Sequence, residues 1–192
     1  MVRGGREMIS PGLKETLNRL RVKAGSFLAV AVLILARPTL RSVLHGALAA
    51  LAGLAIRAWA SGHLRKEKAL AVSGPYRYSR NPLYLGNFII GAGVAVTARS
   101  WWVLALFAAY FGIFYPLMIV RERDRMRKLF PGEYEEYGRK VPLFLPSPLK
   151  RHRAAPVRFS WGLYAQNKEY RAFAGAAAFW LLLAAKALLL NR

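Results

Sequence analysis

The chain has 192 residues, of which 55% are hydrophobic, yet 30 Lys and Arg against 9 Asp and Glu give it a formal net charge of +21. Soluble nucleic-acid binders reach such charge without long uncharged runs, and this chain has several; runs of about 20 apolar residues are what a bilayer span requires. Cysteine is absent, which excludes disulfide frameworks, thiolate metal sites and cysteine nucleophiles, and the three histidines, His45, His63 and His152, lack the spacing of a zinc site.

In chain order, residues 1–23 form a basic segment whose Leu13, Leu17 and Leu20 give a partial apolar stripe after Ser10, as expected of an amphipathic helix on a membrane surface. A short apolar run over 24–36 ends at Arg37-Pro38. The second run, 43–60, carries small residues at Gly46, Ala49, Ala50 and Gly53, which predicts a tight hairpin with the first, while Arg57 near its end is placed to snorkel. The runs 83–98 and 101–120 are separated only by Arg99 and Ser100 and read as a second hairpin. The last run, 172–190, is interrupted by Lys186. The expectation is an all-α polytopic membrane protein with about five transmembrane helices. It reads as one integral-membrane domain over 24–192, with a core over 68–146 and a further loop and helix over 147–192.

Loop charge orients the stack. Residues 1–23 carry six Lys and Arg, 62–82 five and 121–171 thirteen, whereas the opposite turns hold Arg37, Arg41 and Arg99. The positive-inside rule then predicts a cytoplasmic amino terminus, an outer carboxyl terminus and an outer-interface position for Trp101 and Trp102. The inner membrane of a bacterium is the expected location, with anionic lipid against the basic loops.

Both motif-bearing segments fall on that cytoplasmic face. The first is Gly74-Pro-Tyr-Arg-Tyr-Ser-Arg-Asn-Pro-Leu-Tyr-Leu-Gly86. Asn81 and Pro82 suit the cap and first position of a helix, whose free N–H groups attract anions. Tyr76 and Tyr84 are suited to flank a cation, and Arg77 and Arg80 to meet a carboxylate or phosphate. A ligand with a carboxylate and a cationic sulfur would use all of these; a plain helix entry, with interfacial tyrosines and lipid-bound arginines, accounts for them as well. In the second segment, Glu122 and Asp124 lie among arginines at a span's end, Tyr134 and Tyr137 share a helical face, and Pro142 and Pro146 punctuate an extended tail suited to a lid. Pairing of Glu122 with Arg125, and of Asp124 with Lys128, is the structural alternative.

Taken together, Gly74-Pro75-Tyr76, Arg80-Asn81-Pro82-x-Tyr84-x-Gly86, Glu122, residues 130–134, Tyr137 and residues 141–146 resemble the isoprenylcysteine carboxyl methyltransferase and phospholipid methyltransferase group of membrane enzymes. The ordered match covers 68–146. The resemblance implies S-adenosylmethionine as methyl donor, with cofactor contacts at Lys68, Ala69, Leu70, Ala71, Tyr76, Asn81, Pro82, Leu83, Tyr84 and Glu122. It also implies a catalytic role for Glu122, substrate or lid positions at Arg80, Arg121, Tyr134 and Tyr137, and a lipid or lipid-modified acceptor entering from the bilayer. Two departures bear on the acceptor: Asn81 stands where isoprenylcysteine enzymes carry His, and Met118 stands where a carboxylate-binding Arg is expected. A phospholipid amine is the alternative acceptor. A nicotinamide-dependent membrane reductase and a non-enzymatic basic membrane protein are the competing classes, and nucleic acid is not an expected partner.

Overall fold

Pro38 cannot continue a helix, and the Thr39-Leu40-Arg41-Ser42 sequence that follows starts a new one. Thr39 Oγ1 accepts from the Ser42 amide at 3.2 Å and Ser42 Oγ accepts from the Thr39 amide at 2.9 Å, a reciprocal cap that satisfies two orphan donors. The computed structural model, which describes residues 11–149, 152 and 157–190, is three-quarters helical, with no strand among the described residues. Its helices are α1 (Pro11–Leu35), α2 (Leu40–Ser61), α3 (Pro82–Ala98), α4 (Trp101–Leu129), α5 (Glu133–Lys140), α6 (Trp161–Gln166) and α7 (Tyr170–Leu190).

Three of these, α2, α4 and α7, are long and apolar enough to cross a membrane. α3 is apolar but has 17 residues. α1 gains part of its length from a basic first half, and it runs through residue 23 without a break; residues 1–10 of the basic segment lie outside the described residues. The five helices nevertheless alternate in direction. The end of α1 (Val32) with Ala36 just beyond it, the end of α3 (Ala98), the start of α4 (Val103) and the later half of α7 (Leu183) bury one another in a single cluster. Lys186 belongs to that end too, donating to the Leu33 and Ile34 carbonyls at 2.6 and 3.0 Å, where α1 leaves carbonyls unpaired.

The small face of α2 meets α3, not α1 as the sequence suggests. Gly46 and Gly53 oppose Gly93 and Gly86, and a Cβ on any of the four would stand 2.4–2.7 Å from a facing glycine's carbonyl oxygen. Each helix carries its glycines seven residues apart, so two antiparallel backbones touch twice with nothing between them. Much of α1 is instead bulky and outward, as at Phe27 and Ile34, and it leans on α4, where Tyr110 lies against Gly25. The Arg99-Ser100 turn does join α3 and α4 as a hairpin, with Arg99 left-handed at φ 47° and Gly91 facing Phe107 and Phe111. Trp101 and Trp102 project outward beside that turn.

Candidate functional site

At the opposite end of the bundle, α2 stops at Ser61 and the chain crosses to α3 through residues 62–81. That crossing includes a short 3-10 turn, Gly74–Arg77. Gly74 takes φ +56° and abuts the His63 ring, so only glycine fits there without strain. The turn buries Tyr76. α4 continues past the apolar run to Leu129, Gly132 turns the chain at φ +83°, and α5 brings back Tyr134 and Tyr137, both buried with Val141 against Leu70, Val72, Met126 and Phe130.

The tail that follows is strapped along the 76–81 segment. The Arg80 amide donates to the Pro142 carbonyl (3.0 Å), Ser79 Oγ to Phe144 (2.6 Å), Asn81 Nδ2 to Leu143 (2.8 Å), and the Ser147 amide to Tyr78 (3.2 Å). Tyr137 Oη donates to the Tyr76 carbonyl at 2.6 Å. Burial pushes the Tyr76, Tyr134 and Tyr137 phenols above their ordinary range, so Tyr137 stays a neutral donor. Asn81 does hold the N-cap position, and its carbonyl accepts from Leu85. Its side chain does not cap; it holds the strap.

Between the 62–81 crossing, α3, α4 and α5 lies a cavity of about 450 Å³, within the range of small-molecule sites, and no residue of the strap lines it. Ala69, Leu70, Ala71, Tyr76, Arg80, Asn81, Pro82, Leu83, Tyr84, Glu122, Tyr134 and Tyr137 all line it. Lys68 and Arg121 do not. Tyr84 stands edge-on to Tyr115, with ring centroids 5.6 Å apart. The Arg80 guanidinium sits over the Tyr134 ring at 5.4 Å, and its buried Nε has no hydrogen-bond partner.

The Glu122 carboxylate makes no hydrogen bond or ion pair with the described residues. Arg125, the alternative partner, turns to Glu67 on the 62–81 crossing, while Asp124 accepts from Arg123 at 3.0 Å. The wall thus offers an uncommitted carboxylate, an incompletely satisfied guanidinium and four tyrosine rings. Those groups suit a ligand carrying both signs of charge. Among the described residues no group of three His, Asp or Glu is placed to hold a metal ion.

The lining also includes Arg57 and Asn87, which the motif reading did not select. Arg57 does not snorkel. Its Nε and Nη2 donate to the two Glu169 carboxylate oxygens at 2.6 and 3.0 Å, and its Nη1 to Asn87 Oδ1 at 2.5 Å. Asn87 was findable: it lies three residues after Tyr84, hence on the same face of α3. Glu169 had no local signal, since its partner is 112 positions away.

A family model described as phospholipid methyltransferase matches residues 27–133, more than half of the chain. The chain is 34% identical over 92 residues to the nickel-cobalt-cadmium resistance protein NccN of Alcaligenes xylosoxydans xylosoxydans, covering 47% of this chain and 43% of that protein. It is 36% identical over 92 residues to the cobalt-zinc-cadmium resistance protein CzcN of Cupriavidus metallidurans, covering 47% and 42%. Against the protein-S-isoprenylcysteine O-methyltransferase of Schizosaccharomyces pombe it is 31% identical over 81 residues, covering 42% and 34%. The chain therefore spans less than half the length of these curated relatives. No solved structure matches it. With the matched segment supplying both helices of the glycine-packed pair and most of the cavity wall, the chain belongs to the phospholipid methyltransferase family of integral-membrane methyltransferases.

Proposed function

We propose that this protein transfers a methyl group from S-adenosylmethionine to a lipid-like acceptor at the cytoplasmic membrane face, in the manner of isoprenylcysteine carboxyl methyltransferases. One observation carries the reading. Two segments that share no sequence neighbourhood, 69–84 and 122–137, converge on a single cavity whose wall carries four tyrosine rings, one free carboxylate and one guanidinium with an unused donor. Bound there, S-adenosylmethionine would supply a methyl group already activated on a sulfonium.

The residues then have separable tasks. Tyr76 and Tyr84 flank the cationic sulfur, an attraction of about 0.5–2 kcal/mol for a desolvated cation. Arg80 takes the cofactor's carboxylate, and Glu122 its amine or hydroxyls. Tyr134 and Tyr137 wall off water from the cofactor, and the 141–148 strap holds the 78–81 segment that carries Arg80 and Asn81. In-line transfer depends on alignment more than on an acid–base pair. A carboxylate acceptor needs no base, and none of the lining groups is assigned as one.

A phospholipid amine is the second reading, favoured by the description of the matching family and by the unpaired Glu122, which would attract an ammonium head. In either case the reading has five crossings, with the amino terminus in the cytoplasm and the carboxyl terminus outside, in a bacterial inner membrane with anionic lipid at the basic loops; the loop charges support it.

Calorimetric titration of the purified protein in detergent tests the cofactor assignment. Tyr84→Ala and Glu122→Gln should each weaken S-adenosylmethionine binding by about tenfold or more, roughly the worth of one charge-assisted or cation–aromatic contact. Unchanged affinity in both variants would refute the site. NADPH titrated in parallel should not bind; tight NADPH binding would favour a reductase.

A further inference from the structure

We propose that Asn87 is the binding residue for the head of the lipid acceptor, donating its side-chain amide to an oxygen there, and that Arg57 and Glu169 are positioning residues that aim it. The proposal rests on the methyl-transfer reading of the same cavity and concerns a different part of its wall. Arg57 offers only donors, so the Asn87 atom that faces it at 2.5 Å must be the oxygen. The direction of the amide is therefore fixed, and its NH₂ points away from Arg57. Neither N–H of that group has an acceptor among the described residues, although Asn87 is partly buried and lines the cavity. Donors open to the cavity and held in one direction are placed to meet an oxygen of a molecule bound there.

The cost of the arrangement points the same way. Glu169 is buried at the start of α7, with its side chain 8% exposed, and its Arg57 partner is 16% exposed. A buried ion pair rarely adds stability over apolar packing, and ionised groups beside a membrane core are usually kept for function. This pair holds Arg57 by two hydrogen bonds, leaving Nη1 aimed at Asn87.

Asn87 lies about one turn beyond Tyr84 along α3, deeper in the apolar part of the bundle than the loops that bear the cofactor motif. A neutral amide donor there suits a carboxylate, ester or phosphate oxygen, and it offers nothing to a bare alkyl ammonium. The acceptor class is thus a lipid or prenyl chain whose head carries such an oxygen.

The full chain in detergent is titrated with N-acetyl-S-farnesylcysteine, with dioleoylphosphatidylethanolamine and with dodecylamine, and binding is read from thermal stabilisation. At least one oxygen-bearing probe should bind about tenfold more tightly than dodecylamine, the worth of one good hydrogen bond in a desolvated site. That preference should vanish in Asn87→Asp and shrink in Glu169→Gln. Asp still accepts from Arg57, so a merely structural Asn87 would be preserved by it; retention of the preference in Asn87→Asp overturns the proposal, as does its absence in the wild type. S-adenosylmethionine is titrated separately. Failure of the wild type to bind it would sink the cofactor reading while the lipid-probe comparison still decides the role of Asn87. Loss of cofactor affinity in Asn87→Asp with the lipid preference intact would assign the amide to the cofactor and overturn the proposal.

Discussion

A Cβ on Gly46 would stand 1.9 Å from Thr97 Oγ1 and 2.4 Å from the Gly93 carbonyl oxygen. The hydroxyl can rotate away, but the carbonyl cannot, because it belongs to the backbone of α3. Gly46 is therefore required by contact and not by a special backbone angle. Two hydroxyls use the closeness: Ser42 Oγ on α2 donates to the Thr97 carbonyl on α3 at 3.0 Å, and Thr97 Oγ1, which also bonds the Gly93 carbonyl one turn back on its own helix, reaches the Ser42 carbonyl at 3.4 Å. Gly46→Leu should destabilise the protein by about 1–3 kcal/mol or more, the usual cost of overpacking, and by more than the same change at Gly175, whose Cβ position is open. Thermal unfolding of the two variants in detergent checks this; equal melting temperatures would mean that α2 and α3 do not touch as described.

The strap shows what an element adds beyond its residues. Residues 141–148 have no regular structure, yet four hydrogen bonds tie them to 78–81, and the edge-on contact of Phe144 with Phe88 extends them toward the membrane. Ser79 serves twice, donating to Phe144 and accepting from the Asn81 amide at 3.2 Å. Ser79→Ala leaves a partly buried carbonyl and a buried amide without these partners, a loss of about 1–3 kcal/mol confined to this element. Hydrogen exchange of the Arg80 and Ser147 amides should quicken by about tenfold or more in that variant while α2 and α3 keep their protection. Uniform acceleration would show that the strap is not a separate unit.

Much of this element was legible in sequence, because Pro142 and Pro146 exclude a helix and the tyrosines three apart define one buried face of α5. The motif residues of the cavity were legible for a similar reason: they are short-range patterns at helix entries and ends. What escaped is long-range. The choice of α3 over α1 as the partner of α2 depends on two glycine pairs matching across the helices, and small residues on one helix do not name the partner. The Arg57–Glu169 pair joins positions that no local pattern connects, and Arg57 near a helix end reads equally as a snorkelling side chain.

At the scale of the whole molecule, charge and packing can be set against each other. The loops rich in Lys and Arg meet at one end of the bundle: Arg80 bonds to Pro142, Arg125 pairs with Glu67, and the Ser160 amide donates to the Gly62 carbonyl at 3.0 Å. The other end gathers Arg37, Arg41, Arg99 and Lys186, and Lys186 is already bound to α1 carbonyls. The alternation of the five helices comes from side-chain contacts that know nothing of a membrane, whereas the charge count comes from sequence alone. Both sort the loops into the same two groups, so only one orientation satisfies the positive-inside rule. Because the chain has no cysteine, single substitutions report on it without background. Arg41→Cys and Leu190→Cys, at one end, should react with a membrane-impermeant maleimide in intact spheroplasts; Glu133→Cys, exposed at the other end, should react only after permeabilisation. The reverse pattern would put the cavity on the outer face, out of reach of a cytoplasmic methyl donor. Labelling of Arg41→Cys together with Glu133→Cys from outside would mean that the intervening helices do not cross an odd number of times.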